Sequence, residues 1–181
     1  MSDKILKPMK RLIFPFIIFF LFCTRAWASY ILIPMDDTQK NHLKAYGLAY
    51  WVLKNHETEV EWLLNYRGGA FMVQQAQKFE NELVIRGISY EVISDGDAAQ
   101  IRTELSSPDV NMDVVKLQKP PKVAVYSPKT AQPWDDAVTL AMTYAEIPYD
   151  VIYDDDILQD KLSKYDWLHL HHEDFTGQYG R

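Results

Sequence analysis

Short apolar segments alternate with amphipathic ones throughout the second half of this sequence. KVAVYSP is typical of a buried strand, and PWDDAVTLAMTYAE of a helix with Pro133 at its start. PYDVIYD and YDWLHLHH predict two further strands, separated by a helical turn in DDILQDKLSK. This strand–helix–strand–helix–strand order predicts an α/β fold in which a parallel sheet is layered with helices.

The first half begins with the same rhythm. YILIPMD predicts a strand, DDTQKNHLKAYGLAYWVLKNH a helix capped by Asp36, Asp37 or Thr38, and EVEWLLNY a second strand. A strand–helix–strand unit forms a parallel pair with a right-handed crossover by default. We therefore expect the two strands to be parallel partners. In this helix, a stripe of apolar side chains should face the core: Leu43, Tyr46, Tyr50, Trp51 and Leu53.

Three more elements follow before the middle of the chain. Residues 74–87 predict a helix that ends at Gly87, SYEVIS a strand, and DGDAAQIRTELSS a helix with Asp95 or Asp97 near its cap. NMDVVKL is apolar but ambiguous between helix and strand.

The segment QKPPK, residues 118–122, marks the predicted boundary between two units, because its prolines cannot continue a helix or a central strand. Residues 29–117 form the first α/β unit in this interpretation, and residues 118–181 begin a second. We expect the second unit to be incomplete, because the sequence stops just after a strand and its loop.

The N-terminus predicts export. Lys4, Lys7, Lys10 and Arg11 precede the apolar run LIFPFIIFFLFC, and AWA then fits a signal-peptidase site before Ser29. A membrane anchor is the alternative, but the run is shorter than the roughly 20 residues that span a bilayer. A lipid anchor at Cys23 is disfavoured because bulky Phe22 precedes it. We expect residues 1–28 to be a cleaved signal peptide and the protein to be periplasmic or extracellular, without a stable membrane span.

Net charge and cysteine content argue against two classes of function, nucleic-acid binding and catalysis by a thiol. Cleavage would remove five of 19 basic and one of 25 acidic side chains, which leaves 14 against 24 and a net charge of −10. Without clustered Lys and Arg, nucleic-acid binding is disfavoured. The only cysteine would leave with the signal, so the exported chain would have no disulfide and no thiol nucleophile. Oligomeric state is not indicated.

The closing segment, YDWLHLHHEDFTGQYGR, carries the strongest candidate site. Strand alternation places Trp167, His169 and His171 on one face, at the carboxyl end of a strand, where open α/β sheets bind ligands. Glu173 and Asp174 follow directly. Imidazole and carboxylate groups are ligands of zinc, so His169 and His171 are candidate metal ligands and zinc a candidate cofactor.

The loop after KVAVY should reach the same edge of the sheet. It contributes further candidates for a small-molecule pocket: Ser127, Lys129, Trp134, Asp135 and Asp136. Three interpretations remain open: a polar ligand-binding or catalytic pocket without metal, a metal site, and a purely structural polar rim. The first rests on position at the strand ends.

A second, weaker candidate is NYRGGAF, in which Arg67 stands beside two glycines after a strand. Backbone N–H groups of such a loop can bind an anion. Because neither G-x-x-x-x-G-K-[ST] nor G-x-G-x-x-G is present, an ordinary turn is the favoured interpretation.

Several of these stretches resemble a known group. YILIPMDDTQKNHLKAYGLAYW, VEWLLNYRGGAF, VYSPKTAQPWDDAVTLAMTYAEIPYDVIYD and KYDWLHLHHEDFTGQYGR are similar to exported bacterial proteins labelled asparagine synthetase B-like. The second half also resembles the opening of a class I glutamine amidotransferase-like domain, which implies a flavodoxin-like parallel sheet. No catalytic residue carries over, because the exported chain has neither a cysteine nor an S-G-G-x-D-S loop.

Overall fold

The computed structural model describes residues 29–126 and 137–170, which form a mixed α/β fold with two sheets. The signal-peptide prediction for residues 1–28 lies outside this part of the chain. The first sheet has five strands in the order β4-β1-β3-β2-β5, and the second has three in the order β7-β6-β8. The strands of the first sheet are β1 (Ser29–Ile33), β2 (Val60–Leu64), β3 (Phe71–Gln74), β4 (Glu91–Ser94) and β5 (Asp113–Leu117). Those of the second are β6 (Val123–Tyr126), β7 (Tyr149–Ile152) and β8 (Trp167–Leu170).

The first sheet is antiparallel, so the prediction of a parallel β1–β2 pair was wrong. Strand β3 lies between them and pairs antiparallel with both, with Val73 opposite Ile31 on one side and Val60 on the other. Strand β3 was not predicted, because FMVQ is short and its polar and apolar residues do not alternate. Since β1 and β2 are both antiparallel to β3, they still run parallel to each other, as in a split β-α-β unit.

Helix α1 (His42–His56) connects β1 to β2 and begins later than predicted. Its cap is Asn41, whose side chain accepts a hydrogen bond from the Lys44 backbone N–H over 3.2 Å. Asp36, Asp37 and Thr38 lie upstream of the helix and do not cap it. An asparagine oxygen satisfies a free N–H of the first turn as well as aspartate does, so several polar residues in a row left the helix start ambiguous.

The next two helices lie closer to their predicted positions. Helix α2 (Gln77–Arg86) ends at Gly87, whose φ of 67° is the left-handed conformation that glycine adopts most easily. Helix α3 (Asp95–Leu105) has a capping box in which Asp97 and the Ser94 side chain exchange hydrogen bonds with each other's backbone N–H. Asp97 is therefore at the start of this helix, as predicted, but Ser94 is the cap.

Helices cover both faces of the five-stranded sheet. On one face, α1 and α2 bury a cluster that includes Ile31, Leu48 and Phe79. On the other, α3 buries a second cluster that includes Leu32 and Leu63. Coverage of both faces explains why the central strands read as continuous apolar runs rather than alternating ones.

The second sheet is parallel, as predicted. Strand β6 is central and buried, and β7 and β8 pair with it on either side. Helix α4 (Ala137–Ala145) packs Met142 against Val123 and Val125, and a short helix α5 (Asp154–Leu158) follows β7. None of the helices in the described ranges has the length and hydrophobicity to span a bilayer.

The two sheets are joined by residues 118–122, and they also meet through α1 and α4. Gly47 lies against the backbone of Ala145, so close that a Cβ on Gly47 would be 1.7 Å from the Ala145 carbonyl oxygen. Around this crossing, Lys44 Nζ contacts Glu146 Oε1 at 2.6 Å. The domain boundary after residue 117 stays a prediction.

Candidate functional site

The carboxyl edge of the parallel sheet is where the sequence placed its main candidate site. Strand β6 ends at Tyr126 and β8 ends at Leu170. His169 lies opposite Val125 in the β6–β8 register and is half-buried. It shares a strand face with Trp167, one position before the end of β8.

Of the candidate residues at this edge, His169 is the one that the structure describes. The other eight lie outside the described residues: Ser127, Lys129, Trp134, Asp135, Asp136, His171, Glu173 and Asp174. Within residues 29–126 and 137–170, no group of three or more His, Cys, Asp or Glu side chains is placed to hold a metal ion. Metal binding by His169 and His171 therefore stays a prediction.

Hydrogen bonds link side chains at the β6–β7 side of this edge. Tyr126 Oη donates to Asp154 Oδ1 over 2.6 Å. Asp156 accepts from the Tyr153 backbone N–H at 3.0 Å and contacts Lys161 Nζ at 2.6 Å. Tyr126 was not among the predicted site residues, because a tyrosine at a strand end has no distinctive sequence pattern. These bonds fix the end of β6 relative to the start of α5.

The Arg67 turn is a structural clamp. Arg67 Nε donates to Asp36 Oδ2 over 2.9 Å, Nη1 to Glu91 Oε1 over 2.6 Å, and Nη2 to Thr38 Oγ1 over 3.1 Å. The guanidinium is thus occupied by two carboxylates, which disfavours anion binding and supports the turn interpretation. Arg67 holds a left-handed φ of 46°, and its carbonyl accepts from the Met35 N–H. The clamp joins the loop after β1 to the β2–β3 turn and to β4.

This clamp predicts a pH effect on stability. The hydrogen bonds from Thr38 and then from Arg67 lower the pKa of Asp36 from its usual 3.8 to about 2. A carboxyl whose pKa is lower in the folded state stabilises the fold above its unfolded pKa and loses that contribution as pH falls. We expect wild type to exceed Asp36→Asn in free energy of unfolding above about pH 4, with the gap closing towards about pH 2.

Urea denaturation between pH 2 and pH 6 measures that gap. The matched control is Asp37→Asn, which alters the neighbouring, exposed carboxyl. A gap for Asp36→Asn that does not change with pH would contradict the assignment.

A second feature is an apolar cavity of about 660 Å³ between α1 and α4. Its aromatic lining residues are Tyr46, Tyr50, Trp62, Phe71 and Trp167. The sequence predicted that Tyr46 and Tyr50 face the core together with Leu43. Instead, the fully buried side of α1 includes Ala45, Leu48 and Val52, and 41% of Tyr46 remains exposed.

This cavity could not be predicted from the sequence, because its walls come from both halves of the chain. Helix α1 supplies one side, and α4 together with β8 supplies the other. Only the tertiary contact between the helices brings these residues together.

No protein-family model, curated protein or solved structure matched this chain. The fold itself therefore defines the class: a mixed α/β protein with one antiparallel and one parallel sheet.

Proposed function

We propose that this chain is an exported α/β protein that binds a polar small molecule at the carboxyl edge of its parallel sheet, between β6 and β8. The observation that carries the proposal is the strand order β7-β6-β8 with all strands parallel. The chain leaves β6 towards β7 on one side and then crosses to β8 on the other. Ligands of open α/β sheets bind at such a switch point, outside the carboxyl ends of the strands.

The predicted site residues belong to the two segments that flank this point. Ser127, Trp134 and Asp135 follow β6, and His171 and Glu173 follow β8. Their hydroxyl, indole, carboxylate and imidazole groups suit a ligand with several hydrogen-bonding atoms. In this proposal, His169 and Asp174 complete the polar set.

A flavodoxin-like arrangement of this sheet is part of the same proposal. Counted from β6, the order of the three strands is 2-1-3, which is how the flavodoxin-like order 2-1-3-4-5 begins. That order supports a relationship to the glutamine amidotransferase-like fold. The proposal is for binding and assigns no nucleophile; residues 29–181 contain no cysteine, so they hold no thiol for amidotransferase chemistry.

The resemblance to asparagine synthetase B-like and amidotransferase-like proteins makes amide amino acids the first probes. We expect millimolar L-glutamine or L-asparagine to raise the Tm of the purified chain, because a ligand of the folded state stabilises it by mass action. At about 100 times Kd, the shift should be roughly 5 °C or more. The His169→Ala/His171→Ala variant should lose most of it.

His42→Ala, a histidine change on α1, is the matched control and should keep the shift. Zinc content and zinc affinity are measured on the same proteins. Stoichiometric zinc that is lost in the double variant would replace this proposal with a metal site. Equal amino-acid shifts in wild type and the double variant, or none in either, would contradict it.

A further inference from the structure

We propose that the cavity between α1 and α4 binds an amphipathic carboxylate, with its apolar body inside the cavity and its anionic head at Lys54. This site is separate from the one proposed at the carboxyl edge of the parallel sheet. Its lining includes Trp167, the residue at the opposite end of β8 from Leu170. The two proposals can therefore fail independently.

The chemistry of the lining favours an apolar body. Two polar atoms on lining residues are already bonded to the protein: Trp62 Nε1 donates to the Gly69 carbonyl over 3.1 Å, and Tyr50 Oη to the Pro121 carbonyl over 3.3 Å. The remaining walls are largely aliphatic and aromatic. A volume of about 660 Å³ is in the range of small-molecule sites, and apolar walls gain free energy by burying hydrocarbon.

Tyr50 lines this cavity and also two smaller recesses, of about 290 and 160 Å³. Both recesses are lined by Tyr50 and by Lys54, which is one helical turn further along α1. The Lys54 ammonium lies 5.9 Å from the centre of the Tyr50 ring. Lys54 therefore places a cation beside the Tyr50 wall of the cavity.

The other charges of these recesses are already paired. Glu146 is contacted by Lys44 at 2.6 Å and by Arg86 at 2.7 Å. Asp150 is 3.8 Å from Lys122 and accepts a hydrogen bond from Tyr165 Oη over 3.0 Å. Lys54 has no ion-pair partner within residues 29–126 and 137–170, so its charge complements an anionic head group.

The position of the cavity also suits a ligand. It lies where the two halves of the chain meet, and pockets occur preferentially at such junctions. Occupancy would fill space between Tyr46 and Tyr50 of α1 and Ala141 and Ala145 of α4. A bound molecule should therefore strengthen the contact between the halves.

The test uses dodecanoate as probe and dodecanol as its uncharged match, both at submicellar concentrations. Binding to the purified chain is followed by calorimetry and by tryptophan fluorescence, since Trp62 and Trp167 line the cavity. We expect wild type to bind both, with dodecanoate tighter. Lys54→Met should weaken dodecanoate about fivefold and leave dodecanol unchanged, the effect of losing one exposed charge pair.

Two further variants keep the result interpretable. Lys164→Met removes an exposed lysine elsewhere and should change neither affinity. Ala141→Phe fills the cavity from α4 at a partly exposed position and should weaken both probes about tenfold or more, while circular dichroism remains native.

Two outcomes would overturn the proposal. One is that Lys54→Met and Lys164→Met lower the affinity for dodecanoate and for dodecanol equally, which would exclude a specific contact between the head group and Lys54. The other is no binding by folded wild type. If wild type then formed a dimer and Ala141→Phe did not, the cavity would be the binding site for a second copy of the chain.

Discussion

Replacing Gly47 by alanine will destabilise this protein, although alanine is the better helix former. In an exposed helix, the change should gain up to about 1 kcal/mol. At Gly47, the new Cβ would lie 1.7 Å from the carbonyl oxygen of Ala145 and 2.8 Å from its carbonyl carbon. Both atoms are backbone, so α1 and α4 must move apart. Overpacking of this kind costs about 1–3 kcal/mol, and we expect a net loss of that order.

Gly96→Ala is the matched control. Gly96 lies in the first turn of α3, and its new Cβ would come no closer than 3.6 Å to Ser94 Oγ, an ordinary contact. We therefore expect Gly96→Ala to be neutral or stabilising by about 0.5–1 kcal/mol. Urea denaturation of both variants gives the comparison. If Gly47→Ala were as stable as Gly96→Ala, the α1–α4 contact would not have the geometry described.

The parallel sheet could be predicted from the sequence because its strands are separated by clear helical segments. Parallel strands need such crossovers, so β6, β7 and β8 follow from local pattern alone. The antiparallel sheet could not be predicted in the same way. Its order depends on β3, a four-residue strand joined to β2 through a turn in which Asn65 and Arg67 adopt left-handed conformations. Nothing in residue spacing distinguishes this insertion from a simple β1–β2 pair.

The two candidate sites also differ in how far local sequence pattern indicates their position. The site at the sheet edge stays a prediction; its expected position follows from the parallel strands, because their carboxyl ends are a general ligand-binding location. The cavity between α1 and α4 was not predictable, because it depends on how two distant helices meet. The sequence does not indicate that Gly47 contacts another helix, because a glycine within a helix predicts only weak helix formation.

The buried pair Glu61–Arg102 should be the most damaging ion pair to break among the described residues. Glu61 lies on β2 with 11% of its side chain exposed. Arg102, on α3, binds it with two nitrogens, Nε to Oε2 at 2.8 Å and Nη2 to Oε1 at 2.9 Å. The guanidinium also lies 4.6 Å from the centre of the Tyr30 ring. Glu61 is thus a carboxylate on an otherwise apolar sheet face, which is tolerable only because it is paired.

Arg102→Met should therefore cost about 2–4 kcal/mol at pH 7, because it leaves a buried charge without its partner. The Glu61→Met/Arg102→Met double variant should recover to within about 1 kcal/mol of wild type, since two apolar side chains pack well beside Leu63 and Met72. Urea denaturation of all three proteins gives the coupling energy directly.

The exposed pair Lys116–Glu59 supplies the control for this cycle. Its side chains are 62% and 36% exposed, so Lys116→Met should cost less than about 1 kcal/mol. If Arg102→Met cost no more than Lys116→Met, Glu61 would have to be solvated rather than buried. If the double variant were as unstable as Arg102→Met, the loss would come from packing around Tyr30 rather than from the unpaired carboxylate. Burial of Glu61 beneath α3 therefore requires both a large single-variant cost and a large recovery.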